Sequence, residues 1–167
     1  MYVKTTFLHG MLHEEVYVEQ PQGFEVEDRK THVCKLNKAL YGLKQDPCAW
    51  YAHIDSYLVK LRFTRSNVNP SLYFKIFQGM PLILVLYVEN LFLTGSEHLM
   101  IKCKRKLAYE FEMKDLGVMH YFLGLEVWQN PGDIFLSKGK YIVNLLEIFG
   151  MIECKSMVTP MKMNFKK

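Results

Sequence analysis

Apolar positions recur at helical spacing in three stretches of the chain, and each stretch predicts a helix with one buried face. The first begins at Asp46, a suitable capping residue, and Pro47, which is tolerated at the first helical position. The second begins near residue 97 and stops before Gly117, and the third covers about residues 138–149. The predicted inner faces of the first two helices are formed by Trp50, Ile54, Tyr57, Leu58 and Leu61, and by Met100, Cys103, Leu107 and Phe111.

Runs rich in β-branched and aromatic residues predict strands around these helices. The first run, "YVKTTFL", begins almost at the first residue. The runs "SLYFKIF" and "LILVLYV" are separated by the turn residues 78–81, and a second hairpin is predicted around the turn "NPGD" at residues 130–133. Hairpins mixed with helices indicate the α+β class.

One predicted hairpin carries two polar residues at its apex. In "LVLYVENLFLTG", residues 84–95, the turn is expected at Glu89 and Asn90. Two interpretations are open at this point: a hairpin whose turn happens to be polar, or a metal site that has lost part of its charge.

Composition limits the class of protein without specifying its function. The chain has 167 residues, of which 50% are apolar and 23% charged, as in an ordinary globular domain. No apolar run is long enough to span a bilayer, and the first residues lack the features of a signal peptide, so we expect an intracellular protein with no membrane partner. The four scattered cysteines form no CxxC pair, which favours reduced thiols over a disulfide framework or a zinc site.

An ordered set of short motifs resembles the reverse transcriptase of copia-type long-terminal-repeat retrotransposons. The motifs are "VKTTFLHG", "EEVYVEQPQGF", "VCKLNKALYGLKQ", "AWY", "PSLYF", "LYVENLFLTG", "FEMKDLG", "YFLGLEV", "LSKGKYI" and "VTP". The resemblance implies a polymerase palm, an antiparallel sheet packed on helices, as a partial domain over residues 1–160 with a basic tail at 161–167. It also implies that the fingers are incomplete, because the chain starts one residue before the first palm motif.

The same resemblance implies two-metal chemistry, in which two Mg²⁺ ions stabilise the attacking and leaving oxygens of nucleotide addition. The family holds these ions with an aspartate on the first palm strand and an aspartate pair at the hairpin tip. Here Tyr2, Glu89 and Asn90 fall at those positions. Glu89 is then the one expected metal ligand, Mg²⁺ binding is doubtful, and we expect a palm without polymerase activity.

Other positions retain family-like residues, each with two possible roles. Phe7 is either an aromatic gate that selects deoxynucleotides or a core residue, and Gln45 either lies along the incoming nucleotide or belongs to a loop. The partners implied by the resemblance are a template–primer of RNA or DNA and a deoxynucleotide. Candidate phosphate contacts, which could equally be solvated charges, are Lys38 and Lys44 and, in the run "KCKRK", Lys102, Lys104, Arg105 and Lys106.

Three hypotheses therefore remain open at the level of the sequence. The chain is a remnant of an RNA-directed DNA polymerase without activity, or a palm remnant that still binds nucleic acid, or a gene fragment that yields no stable product. Steep salt dependence of RNA binding would favour the second, and absence of a cooperative unfolding transition would favour the third.

Overall fold

The computed structural model describes residues 1–26 and 32–157. The chain divides into two compact units, residues 1–116 and 117–167. The predicted domain boundary at residue 160 and the predicted basic tail at 161–167 lie outside the described residues. Both units combine helix with antiparallel sheet, which confirms the predicted α+β class.

The first unit is built on two antiparallel sheets and two α-helices. Its elements are β1 (Tyr2–Val3), a 3-10 helix (Thr6–His9), β2 (Met11–Glu19), β3 (Val33–Lys38), α1 (Asp46–Lys60), β4 (Thr64–Arg65), β5 (Leu72–Phe77), β6 (Met80–Tyr87), β7 (Asn90–Gly95), α2 (Glu97–Glu110) and β8 (Met113–Lys114). Six strands form one sheet with the order β4-β5-β6-β7-β1-β8, and a separate two-stranded sheet pairs β2 with β3.

The second unit contains the predicted second hairpin and the third helix. Its elements are β9 (Tyr121–Phe122), β10 (Leu125–Asn130), β11 (Asp133–Ser137) and α3 (Gly139–Ile148). Pro131 and Gly132 form the turn of that hairpin, and the short strand β9 adds to it to give the sheet order β11-β10-β9. At the start of α3, the hydroxyl of Ser137 accepts a hydrogen bond from the backbone N–H of Gly139 (2.9 Å). Among the described residues, no helix has the length and apolarity to cross a bilayer.

The six-stranded sheet buries one face against α1 and α2. Along β6, Leu82, Leu84 and Leu86 point into the core, while Ile83 and Val85 alternate onto the other face. We call these the helix-covered face and the opposite face. The predicted inner faces of α1 and α2 are confirmed at the buried residues Trp50, Ile54, Leu58, Cys103 and Leu107, and the predicted residues Tyr57, Leu61 and Met100 are partly buried against the same core. Leu99, which lies outside that prediction, is buried as well.

The predicted first strand is wrong beyond Val3. Thr5 adopts a left-handed conformation (φ 48°), and residues 6–9 form a 3-10 helix instead of continuing the strand. The buried hydroxyl of Thr6 donates to the carbonyl of Val3 at 2.9 Å. Such a local hydrogen bond offers the backbone an alternative to pairing in a sheet. At residues 6–9 this alternative outweighs the β propensity of the run "YVKTTFL".

Two predicted helix ends also need correction. Asp46 is not the cap of α1: it is the first helical residue, and its buried carboxylate accepts a hydrogen bond from the backbone N–H of Leu43 (3.0 Å). The second helix ends at Glu110, well before Gly117. Phe111 turns extended to enter the core, and β8 then pairs with β1, so tertiary burial and pairing decide where this helix ends.

The chain after the 3-10 helix passes very close to α1. A Cβ atom on Gly10 would lie 2.8 Å from the Cβ of Ala49 and 2.9 Å from the backbone N of Trp50. Only glycine permits this approach without displacement of backbone. The approach fixes α1 next to the segment that carries β1, which is the segment that enters the candidate site.

Phe111 is the centre of an aromatic cluster that joins α1 to the end of α2. Its ring makes edge-on contacts with Trp50 (5.4 Å between centroids), His9 (5.7 Å), His53 (5.5 Å) and Tyr57 (5.2 Å). The buried Nε2 atom of His9 has no hydrogen-bond partner within the described residues. Two imidazoles are therefore held in a largely apolar setting.

This cluster predicts a loss of stability in mild acid. Burial, and next the positive charge of His9, lower the pKa of His53; Glu110 opposes this and Lys38 adds to it. Because the folded pKa lies below the ordinary value of 6.5, the unfolded chain binds the proton more tightly. Stability should be fully present above pH 6.5 and fall as the pH drops below it. Urea midpoints between pH 7.5 and 5.5 measure this, and His53→Gln should flatten the dependence; an unchanged slope in that variant would contradict it.

Candidate active site at the β6–β7 turn

The predicted turn at Glu89 and Asn90 is shifted by one residue. The two turn residues are Val88 and Glu89, because Tyr87 at the end of β6 pairs with Asn90 at the start of β7. Asn90 is thus a strand residue of the central sheet, and Glu89 alone of the polar pair occupies the turn. The hairpin itself is confirmed as predicted.

The turn holds Val88 in a strained backbone conformation. Its φ is 52°, in the left-handed region, which is unfavourable for a β-branched residue. A positive φ at the first turn position alone is the pattern of a type II′ turn, where glycine is usual. The indole N–H of Trp50 donates to the carbonyl of Val88 at 2.8 Å, so a buried side chain of α1 holds this peptide group in place.

Sheet register brings together the three positions that the family resemblance assigns to the metal site. Tyr2 of β1 lies directly opposite Asn90 of β7. The backbone N–H of Val3 donates to the carbonyl of Glu89 at 2.9 Å, which closes β1 against the turn. Tyr2, Glu89 and Asn90 therefore form one cluster although 87 positions separate the first from the second in the sequence.

The cluster contains a single negative charge. The carboxylate of Glu89 raises the pKa of Tyr2 above its ordinary value of 10, mainly through its charge, with smaller contributions from burial, Tyr41 and a hydrogen bond to Glu89. The phenol of Tyr2 is therefore neutral near pH 7 and Asn90 is an amide. No group of three or more acidic, histidine or cysteine side chains within the described residues could hold a metal ion.

Asp115 of the first unit and Glu126 of the second unit each interact within their own unit. Asp115 forms an ion pair with Lys104, with 2.9 Å between the nearest oxygen and Nζ. Glu126 in the second unit accepts a hydrogen bond from the backbone N–H of Lys140 at 3.0 Å. One carboxylate, one amide and one phenol do not fit a pair of divalent cations, which require several oxygen ligands with negative charge.

An aromatic pair borders this cluster, and one of its members was not predicted. Phe7 packs edge-on against Tyr41, with 4.9 Å between ring centroids. Tyr41 also contributes to the raised pKa of Tyr2, which places the pair beside the cluster. Tyr41 stands in the motif "LYGLKQ", where sequence reasoning selected Gln45, and only the fold reveals its proximity to Phe7.

Gln45 and Lys44 lie in a different groove. Its walls come from β2 and the first half of α1, and they include His13, Cys48 and Ala52. The side-chain amide of Gln45 donates to the carboxylate of Glu14 at 3.1 Å. Lys38 is exposed and influences the pKa of His53, so it lies near that groove too.

The predicted basic run on α2 does not act as one patch. Lys104 is paired with Asp115, whereas Lys102 and Lys106 line a cavity next to the start of β6. Arg105 lies with Lys106 on a shallow surface between the ends of α1 and α2. The structure thus separates four residues that the sequence presents as a single run.

Comparison with known proteins identifies the family of the chain. The family model of reverse transcriptase (RNA-dependent DNA polymerase) matches residues 1–163, and the chain belongs to this family. Its relatives include Pol polyproteins of transposons, and the predicted copia-type reverse transcriptase is confirmed. No solved structure matches the chain significantly.

Three relatives show the range of similarity. The chain is 43% identical over 168 residues to the retrovirus-related Pol polyprotein from transposon TNT 1-94 of Nicotiana tabacum, covering 98% of this chain and 13% of that protein. It is 40% identical over 161 residues to the Pol polyprotein from transposon RE1 of Arabidopsis thaliana, covering 95% and 11%. It is 38% identical over 144 residues to the putative transposon Ty5-1 protein of Saccharomyces cerevisiae, covering 85% and 47%.

Proposed function

We propose that this chain is a reverse-transcriptase palm that does not catalyse nucleotide addition. The observation that carries the proposal is the cluster of Tyr2, Glu89 and Asn90, which β1–β7 pairing assembles at the place where the family resemblance puts three aspartates. Those aspartates would supply three negative charges, and this cluster supplies one.

The magnitude of the charge loss supports inactivity. Loss of a group that merely orients a metal ligand costs about 10- to 100-fold in affinity, and a lost direct ligand should cost at least as much. Two such losses amount to about two to four orders of magnitude. Glu89 also carries its carboxylate on an arm one methylene longer than aspartate, and a displacement of about 1 Å is enough to impair a catalytic site.

A second proposed role is that the palm binds nucleic acid without acting on it. The observation in favour is the intact Phe7–Tyr41 pair beside the cluster, since aromatic rings form stacking surfaces for bases. Exposed Lys38 and Lys44 would add phosphate contacts. This role requires no metal ion, so it survives the substitutions at Tyr2, Glu89 and Asn90.

Primer extension tests the first role directly. The purified chain is incubated with an RNA template, a DNA primer and deoxynucleotides, with Mg²⁺ or Mn²⁺, and we expect no template-dependent incorporation. Incorporation above a heat-denatured control would overturn the proposal.

Binding of the same template–primer, followed by fluorescence anisotropy, tests the second role. We expect an affinity that falls steeply as salt rises from about 50 to 200 mM. Tyr41→Ala should weaken binding by about 10-fold, the loss of one stacking contact, whereas exposed Tyr109→Ala should leave it unchanged. Equal affinities for the wild-type chain and the Tyr41 variant would exclude the aromatic pair as a binding surface.

A further inference from the structure

A small basic cavity lies on the helix-covered side of the first unit. It has a volume of about 120 Å³, far above the roughly 10–15 Å³ that one water molecule requires. His98, Lys102 and Lys106 stand four residues apart along α2 and form one row of its wall. Lys75 of β5 enters from the sheet, and the floor is apolar, with Phe63, Leu82 and Leu99 among its residues.

The charged residues that line this cavity within the described part of the chain are all basic. Three lysines line it, and no acidic residue is among its lining residues in the described part of the chain. Lys75 is held in place, because its ammonium group donates to the carbonyl of Leu61 at 2.9 Å and lies 5.8 Å from the ring centroid of Phe63. Lys102 and Lys106 form no ion pair within the described residues, whereas neighbouring Lys104 does.

The pKa of Cys103, which lines the cavity, indicates a positive electrostatic potential there. Burial raises the pKa of Cys103 to about 11, while the charges of Lys75 and Lys106 act in the opposite direction. Both ammonium groups are thus close enough to stabilise a negative charge at this point. Clefts lined by charges of one sign and by apolar walls concentrate such a field.

The cavity is remote from the candidate active site. Leu82 lies near the start of β6, and the turn with Glu89 follows the end of that strand, roughly 20 Å away at the rise of an extended chain. Lys75 pairs with core-facing Leu82, so it projects to the helix-covered face, whereas Tyr87 and Asn90 belong to the opposite face. A ligand in the cavity would therefore not compete with one at the hairpin turn.

We propose that this cavity binds a phosphate group through Lys75, Lys102 and Lys106. Lysine ammonium groups are compact point charges and suit the tetrahedral oxygens of phosphate. The apolar floor excludes water below the anion, which strengthens each contact. The volume accommodates one such group, carried either by a free nucleotide or by the backbone of a single strand.

Titration of the full ¹⁵N-labelled chain, followed by amide NMR shifts, tests this site. The three ligands are inorganic phosphate, adenosine monophosphate and a single-stranded oligonucleotide, each at low salt. We expect saturable shifts at His98, Lys102 and Cys103 with at least one of them. Shifts with phosphate or the nucleotide identify a free ligand, and shifts with the oligonucleotide alone identify the strand backbone. No saturable shift at these residues with any of the three would overturn the proposal.

Matched substitutions separate a built site from general attraction to a basic helix. Lys102→Met with Lys106→Met keeps the apolar stems and removes two charges, and it should lower the affinity at least 10-fold. Lys104→Met, on the same helix, should leave the affinity within twofold. Equal losses in both variants, or none in the double variant, would contradict the assignment. Urea unfolding of the double variant checks that it folds. Arginine keeps the positive charge, so the Lys102→Arg chain should retain the binding that the Lys102→Met chain loses.

Discussion

Simultaneous Tyr2→Asp, Glu89→Asp and Asn90→Asp substitutions should raise the affinity for Mn²⁺ by about two to four orders of magnitude. The three positions already face one another through the Tyr2–Asn90 pairing and the Val3–Glu89 hydrogen bond. The triple variant changes only the charge and length of side chains on this frame. Electron paramagnetic resonance of free Mn²⁺ measures the affinity.

The three carboxylates should also repel one another when no metal is bound. The triple variant should therefore unfold at lower urea than the wild-type chain without metal, and regain stability as metal is added. The uncharged control carries Tyr2→Asn and Glu89→Asn and retains Asn90. Its three side chains are nearly the same size as the aspartates of the triple variant, and it should bind Mn²⁺ no better than the wild type. Similar affinities in the charged and uncharged variants would show that charge is not what the cluster lacks.

The sequence predicts the elements of this fold better than it predicts their ends. The apolar spacing of Trp50, Ile54 and Leu58 predicts the buried face of α1 because a helix that packs on a sheet must bury one stripe. The sequence does not predict the end of α2, because no local signal stops the helix at Glu110. Burial of Phe111 and the pairing of Met113 with Val3 stop it, and both are tertiary interactions.

The candidate site is predictable in its members and not in its geometry. The family motifs point to Tyr2, Glu89 and Asn90, and the sheet register brings them together. The sequence predicts the turn at Glu89 and Asn90, one residue too late, because the strand register that pairs Tyr87 with Asn90 leaves no mark in the local pattern. Tyr41 and Lys75 carry no signal of their own, because their relevance depends on which element lies beside them.

Trp50→Phe should destabilise the fold by about 1–3 kcal/mol and loosen the turn of the candidate site. The phenyl ring of the variant retains most of the contact with Phe111. It has no N–H, so the hydrogen bond to the backbone carbonyl of Val88 is lost. The Val88 carbonyl then loses its partner while Val88 still occupies a strained conformation, which costs about 1–3 kcal/mol wherever it persists. Trp50→Ala, which also empties a buried site, should cost about 3–5 kcal/mol. Urea unfolding measures both.

The backbone strain at Val88 and its hydrogen bond from Trp50 should be energetically coupled, and a double-mutant cycle measures this coupling. Glycine adopts a positive φ without steric cost, so in a Val88→Gly background the turn no longer depends on the indole to hold it. We expect Trp50→Phe to cost about 1 kcal/mol less in that background than in the wild type. Costs that agree within about 0.5 kcal/mol would mean that the two residues act independently. The Trp50 bond would then stabilise the core alone, and the position of Glu89 would be set by strand pairing without help from α1.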